Sequence, residues 1–196
     1  MSRGTGGSTG VGDAIGRDPR WERTVLALGL LSALLFGLGL QVTEAAGEFA
    51  VDVDLKPFFI PYLLVGLARF GIPTLSVGLG AALGEGVLDV FEGYELDDPI
   101  GFIGYVVGFV VFGWYLDQRT ADPTSSRSLV VAAVLGALAQ AVFEGSAFLI
   151  FDPSAGPLAA TLSVLGNTVT HGVLLGAIPL VLLHDPVRRR FGAYVP

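Results

Sequence analysis

The sequence predicts an all-α, polytopic membrane protein, a six-helix transmembrane bundle. Of its 196 residues, 52% are hydrophobic and only 15% are charged, whereas charged residues make up about 25% of an ordinary soluble domain. The apolar residues also fall in separate runs, several of which reach the ~20 residues that cross a ~30 Å hydrocarbon core as a helix. Composition and run length together favour a chain that crosses the lipid bilayer several times.

The first span is predicted after a polar N-terminal stretch. Residues 1–23 are rich in Gly and Ser, so we expect a flexible cytoplasmic tail. Residues 24–42 are apolar; a cleaved signal peptide is the alternative, but the run exceeds the roughly 7 to 15 apolar residues of such a peptide. Gly29, Ala33 and Gly37 recur at every fourth position and form a stripe that suits close packing against a helix of this chain or of another subunit.

The segment between the first and second spans is polar. Residues 43–56 contain four acids and alternate apolar with polar positions, which predicts an ordered surface loop, either strand-like or lid-like. Residues 57–70 are apolar but only ~21 Å long as a helix, so we expect them to cross with help from flanking residues or from local bilayer thinning. The third span is predicted over residues 74–91.

Three further apolar runs complete the predicted bundle, at residues 99–116, 129–151 and 158–183, with polar loops between them. The membrane domain is therefore predicted over residues 24–184. The last twelve positions, residues 185–196, include three consecutive arginines and are expected to form a C-terminal cytoplasmic tail.

The basic residues predict the orientation and exclude some functions. The chain has ten arginines and one lysine; with six spans, every arginine falls on one side and Lys56 on the other. The positive-inside rule then places both termini in the cytoplasm of a cell-membrane protein. A net charge of -7 argues against nucleic-acid binding, which needs a basic face. No cofactor is predicted, because the chain lacks cysteine and has only two histidines.

Polar residues inside the spans predict the functional site. The third span holds two carboxylates spaced i, i+4 on one helix face, and charges within a membrane are costly and usually functional. The fifth span holds an amide and a carboxylate at the same spacing, and the sixth carries a polar stripe. Because their depths match, we expect one outward-opening substrate cavity. Its predicted lining residues are Glu85, Asp89, Gln140, Glu144, Ser163, Asn167 and His171.

Each of these residues also has a structural explanation. Asp89 can mark a helix end at the membrane surface, and Gln140, Asn167 and His171 can join helices by hydrogen bonds. Glu144 is harder to explain in this way, because an isolated carboxylate in hydrocarbon is costly or takes up a proton. It needs His171, a water-filled cavity or a cationic ligand, and we favour the cavity.

Several features of residues 24–184 occur together in one known family. They are the stripe Gly29/Ala33/Gly37, the loop 43–56, the run Asp54-Leu55-Lys56-Pro57-Phe58-Phe59-Ile60-Pro61, the glycines from Gly78 to Gly86, and Phe102-Ile103-Gly104 through Gly108. This set resembles the S components, the substrate-binding membrane subunits of energy-coupling factor (ECF) vitamin transporters. The stripe departs from the family's Ala-xxx-Ala, and the Met-His start of nickel and cobalt members is absent, so a metal substrate is not expected.

The resemblance implies a mechanism and two kinds of partner. A loop closes over a vitamin-like solute captured from outside, a membrane-embedded coupling subunit contacts Gly29, Ala33 and Gly37, and cytoplasmic ATPases supply the energy. A structural or sensory scaffold is an alternative, in which the acids pair with one another or with His171 and leave no cavity. An intramembrane hydrolase using Ser146 with His171 is a third, but the Gly-x-Ser-Gly pattern is absent, so we predict no enzyme.

The charges of the cavity predict the class of ligand. Its carboxylates meet no basic residue within the spans, because Arg69 lies at the opposite end of the second span and Lys56 lies in the loop. A cation or amine-bearing heterocycle is expected, with thiamin or its aminopyrimidine precursor as the leading example. Phe58, Tyr62 or Phe148 are candidates for stacking or cation–π contact.

Overall fold

The computed structural model describes residues 19–44, 53–94 and 98–191. Over these residues the chain folds into helices joined by turns and irregular segments, with no β-strand. Six helices follow one another: α1 (Pro19–Glu44), α2 (Phe59–Leu67), α3 (Ile72–Glu92), α4 (Asp98–Gln118), α5 (Ser126–Phe151) and α6 (Gly156–Phe191). Helix therefore continues into both predicted tails, whose outer residues, like residues 45–52 of the predicted loop, lie outside the described ranges.

Five of these helices are long and apolar enough to cross a membrane, and α2 is not. The all-α membrane fold is thus confirmed, whereas six spanning helices are not. The nine residues of α2 reach only about 14 Å at ~1.5 Å per residue. The helix stops at Ala68, whose backbone is extended, so the predicted second span over residues 57–70 is only partly helical.

Helices α1 and α3 are parallel neighbours. The Ser76 hydroxyl donates to the Val25 carbonyl oxygen at 2.7 Å, and farther along both helices Gly84 packs on the backbone of Ala33. Because the two helices run in the same direction, the chain between them returns along the length of α1. It does so through an irregular stretch, which includes residues 53–58, followed by α2.

The small-residue stripe of α1 forms this contact. A Cβ atom at Gly80 would overlap the carbonyl oxygen of Gly29, and one at Gly84 would overlap that of Ala33. Such a close approach of two helices requires small residues on both. The stripe Gly29/Ala33/Gly37 therefore packs on α3 within the fold, and each of its residues stays partly exposed. Its assignment as a coupling-subunit contact stays a prediction.

The later helices alternate in direction. Gly86 of α3 lies against Phe102 of α4, whereas Gly78 lies against Phe109, so the two helices are antiparallel. The same arrangement joins α4 to α5 and α5 to α6. The arginines of the described residues consequently gather at one end of the bundle, here called the arginine end. They are Arg20, Arg23, Arg69, Arg119, Arg127, Arg188, Arg189 and Arg190.

The turn between α4 and α5 lies at the arginine end and is held by its own polar side chains. The Asp122 carboxylate accepts hydrogen bonds from the Thr124 backbone N–H at 3.0 Å and from the Thr124 hydroxyl at 2.8 Å. These bonds favour the charged carboxylate and hold the pKa of Asp122 below its ordinary value. The tight turn keeps α4 and α5 adjacent.

Aromatic rings fill the centre of the bundle. Phe58 is fully buried, and its ring centroid lies 5.2 Å from that of Phe109 and 4.7 Å from that of His171. The Tyr62 hydroxyl donates to the Ala133 carbonyl oxygen at 2.9 Å, which ties α2 to α5. Aromatic pairs of this kind contribute about 0.5–1.5 kcal/mol each beyond the burial of their area. This core anchors the residues immediately after Lys56.

Helix α6 widens into a π-helix at Thr168–Ala177. Pro179 follows it and has no N–H to donate to the preceding turn. In the wide turn the His171 carbonyl oxygen occupies the space that a Cβ atom at Gly176 would need, so this position requires glycine. π-Helical turns are rare and are frequent at functional sites. Here the π-helix carries His171 into the centre of the bundle.

Candidate functional site

Residues 53–58, here called the inserted segment, lie inside the bundle. Pro57 and Phe58 are buried, and Val53 packs against Gly166 of α6. The backbone N–H of Asp54 donates to Oδ1 of Asn167 at 3.2 Å. The predicted surface loop is therefore wrong for its described end. The polar residues of this end are accommodated because each of them meets a polar partner between the helices.

Lys56 joins the inserted segment to three carboxylates. Its Nζ atom lies 2.9 Å from Oδ2 of Asp54, 2.9 Å from Oε1 of Glu85 and 3.1 Å from Oε1 of Glu144. It also lies 5.3 Å from the centre of the Tyr105 ring, within the range of a cation–π contact. The Lys56 side chain is only 13% exposed, so these contacts are largely sheltered from water. We call Lys56 and its three carboxylates the lysine cluster.

A second polar chain extends from Asp54 into α6 and α5. Nε2 of His171 donates to Oδ1 of Asp54 at 2.5 Å, and Nδ1 of His171 lies 3.4 Å from Oε1 of Gln140. Both ring nitrogens thus face oxygen atoms, the arrangement of an imidazolium. In the present orientation of the Gln140 amide, its Nε2 atom has no hydrogen-bond partner among the described residues. If the amide is turned so that Nε2 donates to Nδ1 of His171, the ring can be neutral.

Asn167 connects the same residues on the other side. Its Nδ2 atom donates to Oε2 of Glu144 at 3.1 Å and lies 3.5 Å from the hydroxyl of Ser163. Asn167 is buried, at 1% exposure. Each carboxylate oxygen of Glu144 is therefore used, one by Lys56 and one by Asn167, which explains how a carboxylate is tolerated at this depth.

A cavity of about 170 Å³ opens beside the lysine cluster, at the end opposite the arginines. Five carboxylates and one ammonium line it, a formal excess of four negative charges. The Tyr105 hydroxyl and Oε2 of Glu85 lie at its wall; the two groups are neighbours, but neither atom makes a hydrogen bond of normal geometry within the described part of the chain. The lining residues are Asp54, Lys56, Glu85, Asp89, Asp98, Gly101, Phe102, Tyr105, Glu144 and Ala147.

The structure brings the sequence-predicted residues together in two layers. Glu85, Asp89 and Glu144 line the cavity. Gln140, Asn167 and His171 do not line it but lie behind it, where they orient Asp54 and Glu144. Ser163 also lies behind the cavity, next to Asn167, so three of the seven predicted residues line the cavity.

Sequence reasoning missed the role of Lys56. The expectation that no basic residue compensates the acids is wrong, because the inserted segment delivers this lysine to them. Its signal was present: it is the only lysine of the chain and stands two positions after Asp54 and directly before an apolar run. Tyr105 and Asp98 were also missed, since an aromatic residue or an acid at a helix end carries no distinctive spacing.

The predicted aromatic contacts change accordingly. Phe58 and Tyr62 are fully buried in the aromatic core and do not line the cavity, whereas Phe102 and Tyr105 do. The Phe148 side chain lies outside the described residues. Phe102 and Tyr105 of α4 are therefore the described aromatic residues placed to stack against a ligand in this cavity, because Phe58 and Tyr62 are buried in the core.

No family model matches the sequence, and no solved structure matches the fold.

The site offers binding groups more clearly than reactive ones. Ser146 donates to the Val142 carbonyl oxygen at 2.6 Å and is exposed, while His171 contacts Asp54 and Gln140, so the structure does not form the Ser146–His171 pair. Among the described residues, no three His, Asp or Glu side chains are placed to hold a metal ion. The carboxylates that line the cavity are able to recognise a positively charged group.

Proposed function

We propose that the chain is the substrate-capture subunit of an ATP-driven importer, binding a small cationic or amine-bearing solute. The observation that carries this proposal is the cavity beside the lysine cluster, whose wall holds five carboxylates against one ammonium. Such an excess of negative charge at a concave, partly enclosed surface favours cations. The positive-inside rule places the arginine end in the cytoplasm, so the cavity faces outside, as capture requires.

The inserted segment supports capture rather than passage. It lies between α3, α5 and α6, and the buried Pro57 and Phe58 anchor it in the core of the bundle. The run from Asp54 to Pro61, one of the features that resemble ECF S components, forms most of this segment and the start of α2. A membrane-embedded coupling subunit and cytoplasmic ATPases are part of the proposal, because the chain itself has no nucleotide-binding motif.

The size of the cavity limits the solute. At about 170 Å³ it is smaller than the ~300–1,000 Å³ of pockets that enclose a drug-sized ligand. A small amine fits as the cavity stands, whereas a vitamin the size of thiamin needs the Lys56 side chain or the inserted segment to move. Of the two ligands expected from the sequence, the aminopyrimidine precursor therefore fits this cavity better than thiamin.

The test is ligand-induced thermal stabilisation of the purified chain across a panel of cationic, neutral and anionic vitamins and precursors. A ligand at 100 times its Kd stabilises the folded state by about 2.7 kcal/mol. We expect cations to stabilise, and Glu85→Gln and Glu144→Gln to weaken that response. Asp152→Asn, an exposed acid in the turn before α6, is the matched control. Stabilisation by carboxylate ligands alone would overturn the proposal.

A structural or sensory scaffold is the second candidate, and one observation favours it. Three acids already pair with Lys56, much as a scaffold requires, although a cavity remains beside them. A scaffold predicts that no member of the vitamin panel stabilises the chain and that the chain does not copurify with a coupling subunit. An importer subunit predicts the opposite: at least one vitamin stabilises the chain, and the chain copurifies with a coupling subunit.

A further inference from the structure

The lysine cluster has the contacts of a bound primary ammonium. An ammonium has three N–H donors, and Nζ of Lys56 has three carboxylate oxygens at 2.9, 2.9 and 3.1 Å. The Tyr105 ring lies beneath the same atom at 5.3 Å. None of these contacts involves the rest of the lysine, so the same groups suit any R–NH3⁺ that reaches them.

The cavity gives an external amine access to the same groups. Asp54, Glu85 and Glu144 of the lysine cluster also line the cavity, as does the neighbouring Tyr105. The Tyr105 side chain is buried, at 1% exposure, and its hydroxyl makes no normal hydrogen bond within the described residues. The wall therefore brings the ring of Tyr105 next to the carboxylates that hold Lys56.

Lys56 is held so that its ammonium can leave without unfolding the inserted segment. The residues on either side are fixed independently: the N–H of Asp54 donates to Asn167 at 3.2 Å, and Phe58 is fully buried among aromatic rings. Between these anchors, the lysine reaches the acids through four flexible methylenes. Because Lys56 itself lines the cavity, rotation of its side chain is the direct route by which its ammonium can leave the acids.

We propose that Lys56 is a tethered competitor for the substrate site: a primary ammonium group of the ligand takes its place among Asp54, Glu85 and Glu144, and the lysine ammonium moves aside into the cavity. This inference rests on the proposed capture function and narrows its substrate class to small primary amines. Exchange of one ammonium for another keeps one cation among the three carboxylates throughout. Unloaded protein is thus closed by its own cation.

Chemical rescue tests this exchange without the natural substrate. Lys56→Ala keeps the Cβ atom, and propylammonium supplies the three carbons and the ammonium that the variant lacks. We expect propylammonium to raise the thermal midpoint of purified Lys56→Ala, with a half-saturating concentration at least about tenfold below that for the unmodified chain, since RT ln 10 is ~1.4 kcal/mol and Lys56 competes only in the latter. Propanol, without charge, and tetramethylammonium, without N–H donors, are expected to give no shift.

Arg69→Ala, which removes a basic residue at the arginine end, is the control and should respond like the unmodified chain. If Lys56→Ala does not fold, the same comparison is made with Lys56→Ala/Glu144→Gln, which removes one negative charge together with the positive one. Equal responses to propylammonium and propanol, or equal half-saturation in variant and unmodified chain, would overturn the inference.

The two proposals fail separately. Rescue by propylammonium with no response to the vitamin panel would sink the capture function and leave the ammonium site standing. A vitamin response that is unchanged in Lys56→Ala, together with no rescue, would sink only the exchange.

Discussion

The α1–α3 contact and the lysine cluster hold one bundle together by opposite means. In the first, backbones meet because Gly29, Gly80 and Gly84 have no side chain to separate them. In the second, side chains reach across a polar gap, and the charge of Lys56 compensates acids from three places in the chain. Added atoms should therefore destabilise the first contact, whereas loss of charge should destabilise the second. The predictions below probe this difference.

Loss of the central charge should have the largest effect. Lys56→Met keeps the length of the side chain but leaves Asp54, Glu85 and Glu144 without their cation. Removing one partner of a buried ion pair typically costs about 3–5 kcal/mol, and partial access to water places this site towards the lower value. Chemical denaturation in detergent measures the free energy of unfolding. The double variant Lys56→Met/Glu144→Gln should recover part of the loss, and purely additive losses would contradict a shared cluster.

Added atoms at the α1–α3 contact should cost less. Gly84→Ala places a methyl group against the Ala33 carbonyl oxygen, so the helices must separate; overpacking of this kind costs about 1–3 kcal/mol. Gly101→Ala is the control, because a Cβ atom there meets no neighbour within 4 Å, and Ala is favoured over Gly in a helix by roughly 0.5–1 kcal/mol. Thermal unfolding should therefore rank Gly84→Ala below the unmodified chain and Gly101→Ala level with it or above. The reverse order would contradict the parallel packing.

A neutral hydrogen bond should show the smallest effect. Tyr62→Phe removes the hydroxyl that donates to the Ala133 carbonyl oxygen at 2.9 Å but keeps the ring in the aromatic core. A typical hydrogen bond of this kind contributes about 0.5–1.5 kcal/mol. The loss in the free energy of unfolding should be well below that of Lys56→Met. A loss as large as that of Lys56→Met would mean that α2 is held mainly by this hydrogen bond and not by the packing of its rings.

The same comparison explains what was predictable from the sequence. Helical periodicity placed Glu85 with Asp89 and Gln140 with Glu144 on common faces, and matched depth brought them to one site, because a spanning helix has little freedom of register. The small-residue stripe of α1 was equally recognisable in the sequence, but its partner was not. Small residues indicate a close contact and do not identify the helix that makes it.

The inserted segment was the least predictable part. Its acids and its lysine predicted a solvated loop, since a polar stretch next to apolar spans is usually outside the membrane. The fold buries Asp54 and Lys56 because acids on α3 and α5 and His171 on α6 compensate them, and those partners lie far apart in sequence. The short α2 follows from the same cause, because the residues before Phe59 lie in the inserted segment and are not helical.

The central claim is that the inserted segment lies between the helices with Lys56 among the acids, and engineered cysteines test it most directly. The chain has no cysteine of its own. Val53 packs on Gly166, where a new Cβ atom would lie 3.3 Å from that of Val53, close to the ~3.5–4.5 Å of a disulfide. Val53→Cys/Gly166→Cys should cross-link readily in membranes under mild oxidation, and Val53→Cys/Leu165→Cys should not, because Leu165 is 56% exposed on the outer face of α6. Equal cross-linking of both pairs, or of neither, would contradict a segment held inside the bundle.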